Sequence, residues 1–196
     1  LKKLIDDLLE ASKASSGVLN VIPAPCEVGV LLEQVQGEYA ERLHAHDLNL
    51  IVQTPDKTLT VLADGRHLGR IFDNLMNNII KYAQPGTRVY LDARAGLDPA
   101  APGGSRPVAV ITFRNVSTEP LNIPAEELLE RFVRGDASRH TEGSGLGLAI
   151  VQSLTELQGG SLQLAIDGDL FKVRLTFPLY TPADAAQAAS SGKETP

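Results

Sequence analysis

The stretch 64–86 constrains what this chain can fold into more than any other part of it. Leu68, Ile71, Phe72, Leu75 and Ile79 recur at i, i+3, i+4, i+7 and i+11, the spacing of one buried helical face. Asp64 offers a side-chain oxygen for the N-cap and Pro85-Gly86 closes the run, which predicts a helix over 66–83. Beside the apolar stripe stand Asn74, Asn78 and Lys81, at i, i+4 and i+7 and so on one face. A helix seldom sets two amides and an ammonium against its buried seam unless something polar docks there, because unpaired polar atoms are costly to bury. An Asn carbonyl oxygen is a neutral, hard ligand suited to Mg²⁺, and the adjoining Lys81 and Tyr82 offer a phosphate contact and a ring on which a base can stack. A merely solvated amide face remains the alternative for this helix taken alone.

The sharpest local motif is Gly143-Ser144-Gly145-Leu146-Gly147-Leu148-Ala149-Ile150. Glycines at alternate positions let a backbone approach a phosphate and aim several N–H groups at it. The helix expected over 145–157 adds its positive N-terminal end. A P-loop would need Gly-Lys-Ser/Thr, but Gly147 is followed by Leu148-Ala149. A dinucleotide fingerprint would need glycine at Leu148 and a strand just before the turn, where this chain is polar. Both readings fail. What stays open is a phosphate cradle of another class, or a glycine-rich helix start without a ligand.

The flanking sequence supplies alternating strands and amphipathic helices. A helix over 1–15 carries Leu1, Leu4, Ile5, Leu8 and Leu9 on one face and is in phase from its first residue; 18–22 reads as an extended edge or linker. A second helix is expected over 27–43. The runs 48–53 and 59–62, with Pro55-Asp56 between them, predict a strand pair. Strands are expected over 87–95 and 108–114 across a Gly/Pro-rich loop, and a short helix near 125–132. Asp167-Gly168 predicts a hairpin between 161–166 and 170–177. The stretch 181–196 has no Leu, Ile, Val or aromatic residue and is expected to be a disordered tail. Strands and helices in this mixed order imply a mixed or antiparallel sheet covered by helices on one face.

Composition removes several function classes. The formal net charge of −6 argues against a nucleic-acid coat, and the single cysteine, Cys26, excludes an internal disulfide or a Cys-pair zinc site and favours a reducing compartment. No apolar run approaches the roughly 20 residues that span a bilayer.

Taken together, these motifs resemble the catalytic ATP-binding domain of bacterial sensor histidine kinases. Asn74-Leu-Met-Asn-Asn78-Ile-Ile-Lys81-Tyr82 is similar to the family's N box, and Glu130-Arg-Phe132-Val-Arg134 to its F box. Residues 143–150 resemble the second glycine box, and Leu157-Gln-Gly-Gly160 the turn after it. The likeness runs from about 27 to 179. It implies an α+β, two-layer α/β sandwich of the Bergerat type, with a mixed, mostly antiparallel sheet. Its implied cofactors are ATP and Mg²⁺, and its implied activity is transfer of the ATP γ-phosphate to a histidine.

Carried over residue by residue, the resemblance implies that Asn78 coordinates Mg²⁺, that Asn74 lines the same site, that Lys81 contacts phosphate and that Tyr82 packs on the adenine. Phe132 and Arg134 would open a flexible lid, with Arg139 near the phosphates. Gly143, Gly145, Leu146 and Gly147 would bracket the phosphate end. The basic groups Lys81, Arg131, Arg134 and Arg139 would then face phosphate within an acidic scaffold.

Residues 4–12 are similar to the end of a second dimerisation helix. The implied organisation is dimerisation helix 1–16, linker 17–26, ATP-binding domain 27–180 and tail 181–196. The partners implied are an upstream dimerisation and phosphoacceptor domain and a response regulator, with no nucleic acid, in a homodimeric parent anchored at the bacterial membrane with this part in the cytoplasm.

Two departures from the pattern stand out. Where the family's first glycine box reads Asp-x-Gly-x-Gly, this chain has Asn115-Val116-Ser117 and neither glycine. An Asn carbonyl accepts the same hydrogen bond from an adenine amino group, so the variant need not abolish recognition. A pseudokinase that binds no nucleotide is the alternative. None of His44, His46, His67 and His140 lies in an acceptor motif on a helix, so the acceptor is expected upstream. A gyrase-type ATPase or an anti-sigma serine kinase on the same fold are the remaining rivals. The kinase-like F box and the absence of a transducer domain weigh against the first, the dimerisation-like helix against the second.

Overall fold

The computed structural model of the chain describes residues 19–54, 59–98, 105–121, 124–129 and 145–180. The expected helix over 1–15, the F box and the tail over 181–196 lie outside them. From the N-terminal side, β1 (Ala24–Glu27) leads directly into α1 (Val28–Ala45). Next come β2 (Asn49–Gln53), β3 (Thr60–Ala63), α2 (Gly65–Tyr82), and the long strands β4 (Arg88–Asp98) and β5 (Arg106–Val116). A one-turn helix α3 (Ala125–Leu128), then α4 (Gly147–Leu157) and the hairpin β6 (Ser161–Asp167) and β7 (Leu170–Pro178), complete the order.

The main sheet has five strands in the order β2-β4-β5-β7-β6; β2 and β4 run parallel and the other neighbours antiparallel. This is the two-layer, mostly antiparallel architecture that the resemblance implied. Strand alternation aims Val89, Leu91 and Ala93 of β4, Ala109, Ile111 and Phe113 of β5, and Val173, Leu175 and Phe177 of β7 into one core. The helices complete that core with Leu32 and Tyr39 of α1, Leu68, Ile71, Phe72 and Leu75 of α2, and Ile150 and Leu154 of α4. Phe72 meets Phe113 with ring centroids 5.6 Å apart and planes inclined at 52°, a tilted pair across the two layers. Each large side chain fully buried there contributes about 1.5–3 kcal/mol relative to exposure. On the opposite face of the sheet, Arg114 Nη2 donates to Asp92 at 2.7 Å and its guanidinium lies 5.1 Å from the centre of the Tyr90 ring.

The expected pairing of 48–53 with 59–62 is corrected. β2 pairs with β4, with α2 inside the crossover that parallel strands require, while β3 pairs antiparallel with β1 in a separate two-stranded sheet. Alternation tells which face of a strand is buried; it does not name the neighbour. The glycine-led helix also starts later than expected, at Gly147. Gly145, at φ 68°, is left-handed and cannot be part of it. The expected hairpin at Asp167-Gly168 is present, with Gly168 at φ 61°.

Candidate functional site

The Asp64 carboxylate starts α2. Its Oδ1 accepts from the Arg66 backbone N–H at 3.0 Å, satisfying one of the open donors of the first turn. The apolar stripe then turns into the core and leaves Asn74 and Asn78 half-buried at its border. Asn74 Nδ2 donates to the Arg70 carbonyl one turn back at 2.8 Å, so Oδ1 is the free end of that amide. The Asn78 carboxamide has no hydrogen-bond partner among the described residues.

The facing wall is α4. Leu146 is fully buried, and its carbonyl accepts the Ile150 N–H at 2.9 Å, which seats the glycine turn in the core. Gly147 follows, opposite the two amides. A Cβ at Gly147 would lie 3.4 Å from Asn74 Oδ1 and 3.6 Å from both Asn78 Oδ1 and Asn78 Nδ2. The missing side chain therefore leaves a gap that two carboxamides and the positive end of α4 all border. An anion is favoured at such a helix end.

Lys81 and Tyr82 close the same helix, with Lys81 Nζ 4.9 Å from the centre of the Tyr82 ring. The end of α2 is sewn to the end of β5: Gln84 N–H donates to Val116 O and Thr118 N–H to Tyr82 O, each at 2.9 Å. This anchors Lys81 and Tyr82 beside the strand end that carries Asn115. Asn115 is 3% exposed, on the helix-facing row of β5. Its Nδ2 donates to Val116 O at 3.2 Å, an arrangement that leaves Oδ1 as its acceptor. Gly147 thus meets Asn74 and Asn78, with Lys81 and Tyr82 further along the same helix and Asn115 at the strand end joined to it. Gly145 and Leu146 lead into that contact from the N-terminal side of α4. Phe132, Arg134, Arg139 and Gly143 lie outside the described residues.

No group of three or more His, Cys, Asp or Glu side chains able to cage a metal occurs among the described residues. A divalent ion would depend on carboxamide oxygen, water and the ligand's own phosphates. That donor set fits Mg²⁺, which keeps several waters and binds with substrate phosphates. A cavity of about 520 Å³ lined by Val21, Leu62, Leu157 and Leu179 sits at the far end of α4 and contains none of these residues.

Several polar partners behind the site carried no sequence signal. Tyr39 Oη donates to Asp73 Oδ1 at 2.9 Å, and Arg42 Nη2 to Asn77 Oδ1 at 2.8 Å, so α1 grips the residues that immediately precede Asn74 and Asn78. Burial, reinforced by the Asp73 carboxylate, pushes the Tyr39 phenol up to about 12. In the sequence Tyr39 reads only as one of the apolar-stripe residues of the helix expected over 27–43, with Val28, Leu31, Leu32 and Val35. At the other end of α2, hydrogen bonds from the Arg66 side chain hold the Asp64 carboxyl well below the usual carboxylate range despite its burial.

Residues 63–181 match the family described as "Histidine kinase-, DNA gyrase B-, and HSP90-like ATPase". The signal transduction histidine-protein kinase BaeS of Escherichia coli (strain K12) is 33% identical over 165 residues, which cover 83% of this chain and 33% of that protein. The chain therefore spans a third of that relative's length. Among solved structures, the mycobacterial sensor histidine kinase MprB superposes with a TM-score of 0.60 at 25% identity, covering 81% of this chain and 98% of that one. Full-length ShkA in complex with AMPPNP gives a TM-score of 0.72 at 23% identity, covering 91% of this chain and 36% of that one, a likeness of fold.

Proposed function

Because the chain belongs to the histidine kinase-, DNA gyrase B- and HSP90-like ATPase family, we propose that it is the ATP-binding catalytic domain of a sensor histidine kinase. The observation that carries this reading is the convergence of Asn74 and Asn78 on Gly147 at the N-terminus of α4. In support stand the sensor-kinase relatives and the AMPPNP bound by ShkA, a nucleotide analogue of ATP.

In this reading the phosphates lie against the Gly145–Gly147 turn, and Asn78, with Asn74 beside it, holds Mg²⁺. That ion neutralises phosphate charge when it is bound with the nucleotide. Lys81 reaches a phosphate oxygen once the nucleotide competes for it with the Tyr82 ring, and Tyr82 and Asn115 serve the adenine, Asn115 Oδ1 accepting from its amino group. Phe132, Arg134, Arg139 and Gly143, outside the described residues, are the further residues we propose for nucleotide binding, on the resemblance of their motifs alone. The reaction forms a bond from the γ-phosphorus to an imidazole nitrogen of a histidine upstream of this chain and breaks the bond to the β,γ-bridging oxygen, releasing ADP. Such chemistry rests mainly on positioning and charge neutralisation. The parent protein is then a membrane-anchored homodimer that passes the phosphoryl group to a response regulator.

The test is titration of a fluorescent ATP analogue into the chain with and without Mg²⁺. Binding should strengthen with Mg²⁺, and Asn78→Ala should abolish the Mg²⁺-dependent part while leaving the melting temperature close to that of the parent. Unchanged Mg²⁺-dependent binding in Asn78→Ala would remove the site assignment, and no binding by the parent chain would favour a pseudokinase.

A further inference from the structure

The two helices that frame the proposed nucleotide site are also joined at their other ends. The Asp64 backbone N–H, at the start of α2, donates to Gln158 Oε1, at the end of α4, at 2.8 Å. Gln158 is itself held in place, its Nε2 donating to the Leu154 carbonyl at 2.9 Å. Gly147 lies at the other end of α4, against Asn74 and Asn78 in the second half of α2, so the two helices form an antiparallel pair tied by this hydrogen bond at one end and meeting at the amides and Gly147 at the other. From Asp64 to Asn78 the helix rises about 21 Å.

A third segment meets the tied end. The incoming chain donates Ile22 N–H to Asp64 Oδ2 at 3.0 Å, while His67 Nε2 lies 3.3 Å from Asn20 O and 4.0 Å from Asp64 Oδ2. Asp64 is 2% exposed, whereas Ile22 is 59% exposed and Asn20, Pro23, Ala24 and Pro25 are exposed as well. Val21 and Pro23 form part of the wall of the 520 Å³ cavity, next to Ala63 and Gln158. Between Leu19, which packs on the core, and β1, which pairs with β3 from Ala24, the stretch 20–23 is fastened by these hydrogen bonds and borders the cavity.

We infer that Asp64 is a positioning residue through which the incoming segment 20–22 sets the spacing of the nucleotide jaws. With the segment docked, Asp64 holds the N-terminus of α2 against the C-terminus of α4, and Asn74 and Asn78 face Gly147 at binding distance. With it released, Oδ2 loses a donor, the tie loosens and the jaws open. This rests on the nucleotide reading given above, and its residues touch no part of the ligand.

Three variants of the full 196-residue chain test it. Asp64→Asn keeps a good N-cap but gives up one carboxylate acceptor, Gln158→Met keeps side-chain length but removes the acceptor for the Asp64 N–H, and Ile22→Pro removes the segment's donor without touching either helix. Each should raise the Kd for the Mg²⁺ complex of a fluorescent ATP analogue about fivefold, a modest coupling between distant groups. Each should also speed amide exchange at 147–151, far from the substitution. Local loosening around 20–24 and 64–67 with Kd and exchange at 147–151 unchanged would overturn the inference and leave Asp64 a structural cap. If Asp64→Asn fails to fold, the exposed-site variant Ile22→Pro decides the matter by the same readouts. Asn78→Ala, measured in parallel, separates the two readings: binding lost there but unmoved in the three variants sinks only the coupling, and binding retained there sinks the site on which it rests.

Discussion

At Gly147 the absent side chain leaves a gap bordered by Asn74 Oδ1 and both polar atoms of Asn78, none closer than 3.4 Å to where a Cβ would sit. The backbone there is helical, so a methyl group is sterically tolerable and conformationally welcome. Gly147→Ala should therefore hold or raise the unfolding free energy, by up to about 1 kcal/mol, while weakening nucleotide binding. Calorimetry and titration on one sample check both halves, and a destabilised variant with normal binding would contradict the assignment. Tyr39 supplies a pH-dependent counterpart. Its phenol is pushed up from an ordinary value of 10 to about 12, so its contribution is complete below pH 10 and lost as pH rises through about 12. The stability difference between the parent and Tyr39→Phe should shrink across that interval, which melting curves in alkaline buffers would show.

Elements were legible in proportion to how local their causes are. The stripe of α2, its Asp64 cap and the Asp167-Gly168 hairpin all follow from contacts within one turn, and the structure has them where the periodicity sets them. The partners of β2 and β3 depend on contacts across the chain and could not be read from alternation. The same holds for Asp73 and Asn77, whose partners Tyr39 and Arg42 lie more than thirty residues away. The site was legible as a set of amides and glycines, and their meeting at Gly147 became visible only in three dimensions. Gly160, expected simply as part of a turn, proves to be a packing requirement: a Cβ there would lie 2.5 Å from Thr176 O and 2.9 Å from the Phe177 ring. Gly160→Ala should destabilise the β6–β7 end of the sheet by about 1–3 kcal/mol, measurable by denaturant unfolding. A neutral effect would show that the strands part easily.

For the molecule as a whole, the acid limb of stability should carry the signature of Asp64. Its carboxyl is held below an ordinary value of 3.8, so its contribution is complete above that value and is lost as pH falls towards the folded-state value. The parent's advantage over Asp64→Asn should accordingly diminish below about pH 4, and a constant difference across that range would mean the Arg66 contact contributes little. Asp64 lies beside β3, a strand with neighbours of unusual kind. On one edge β3 pairs with β1, where the chain comes in; on the other, Val61 bridges to Leu179 and Thr60 O accepts the Tyr180 N–H at 2.9 Å, where the chain goes out. Incoming and outgoing backbone are therefore lashed to opposite sides of four residues. Tension between them would load this small seam first, parting its bonds before any force reached the five-stranded sheet, so the body would swing from one corner as an intact unit.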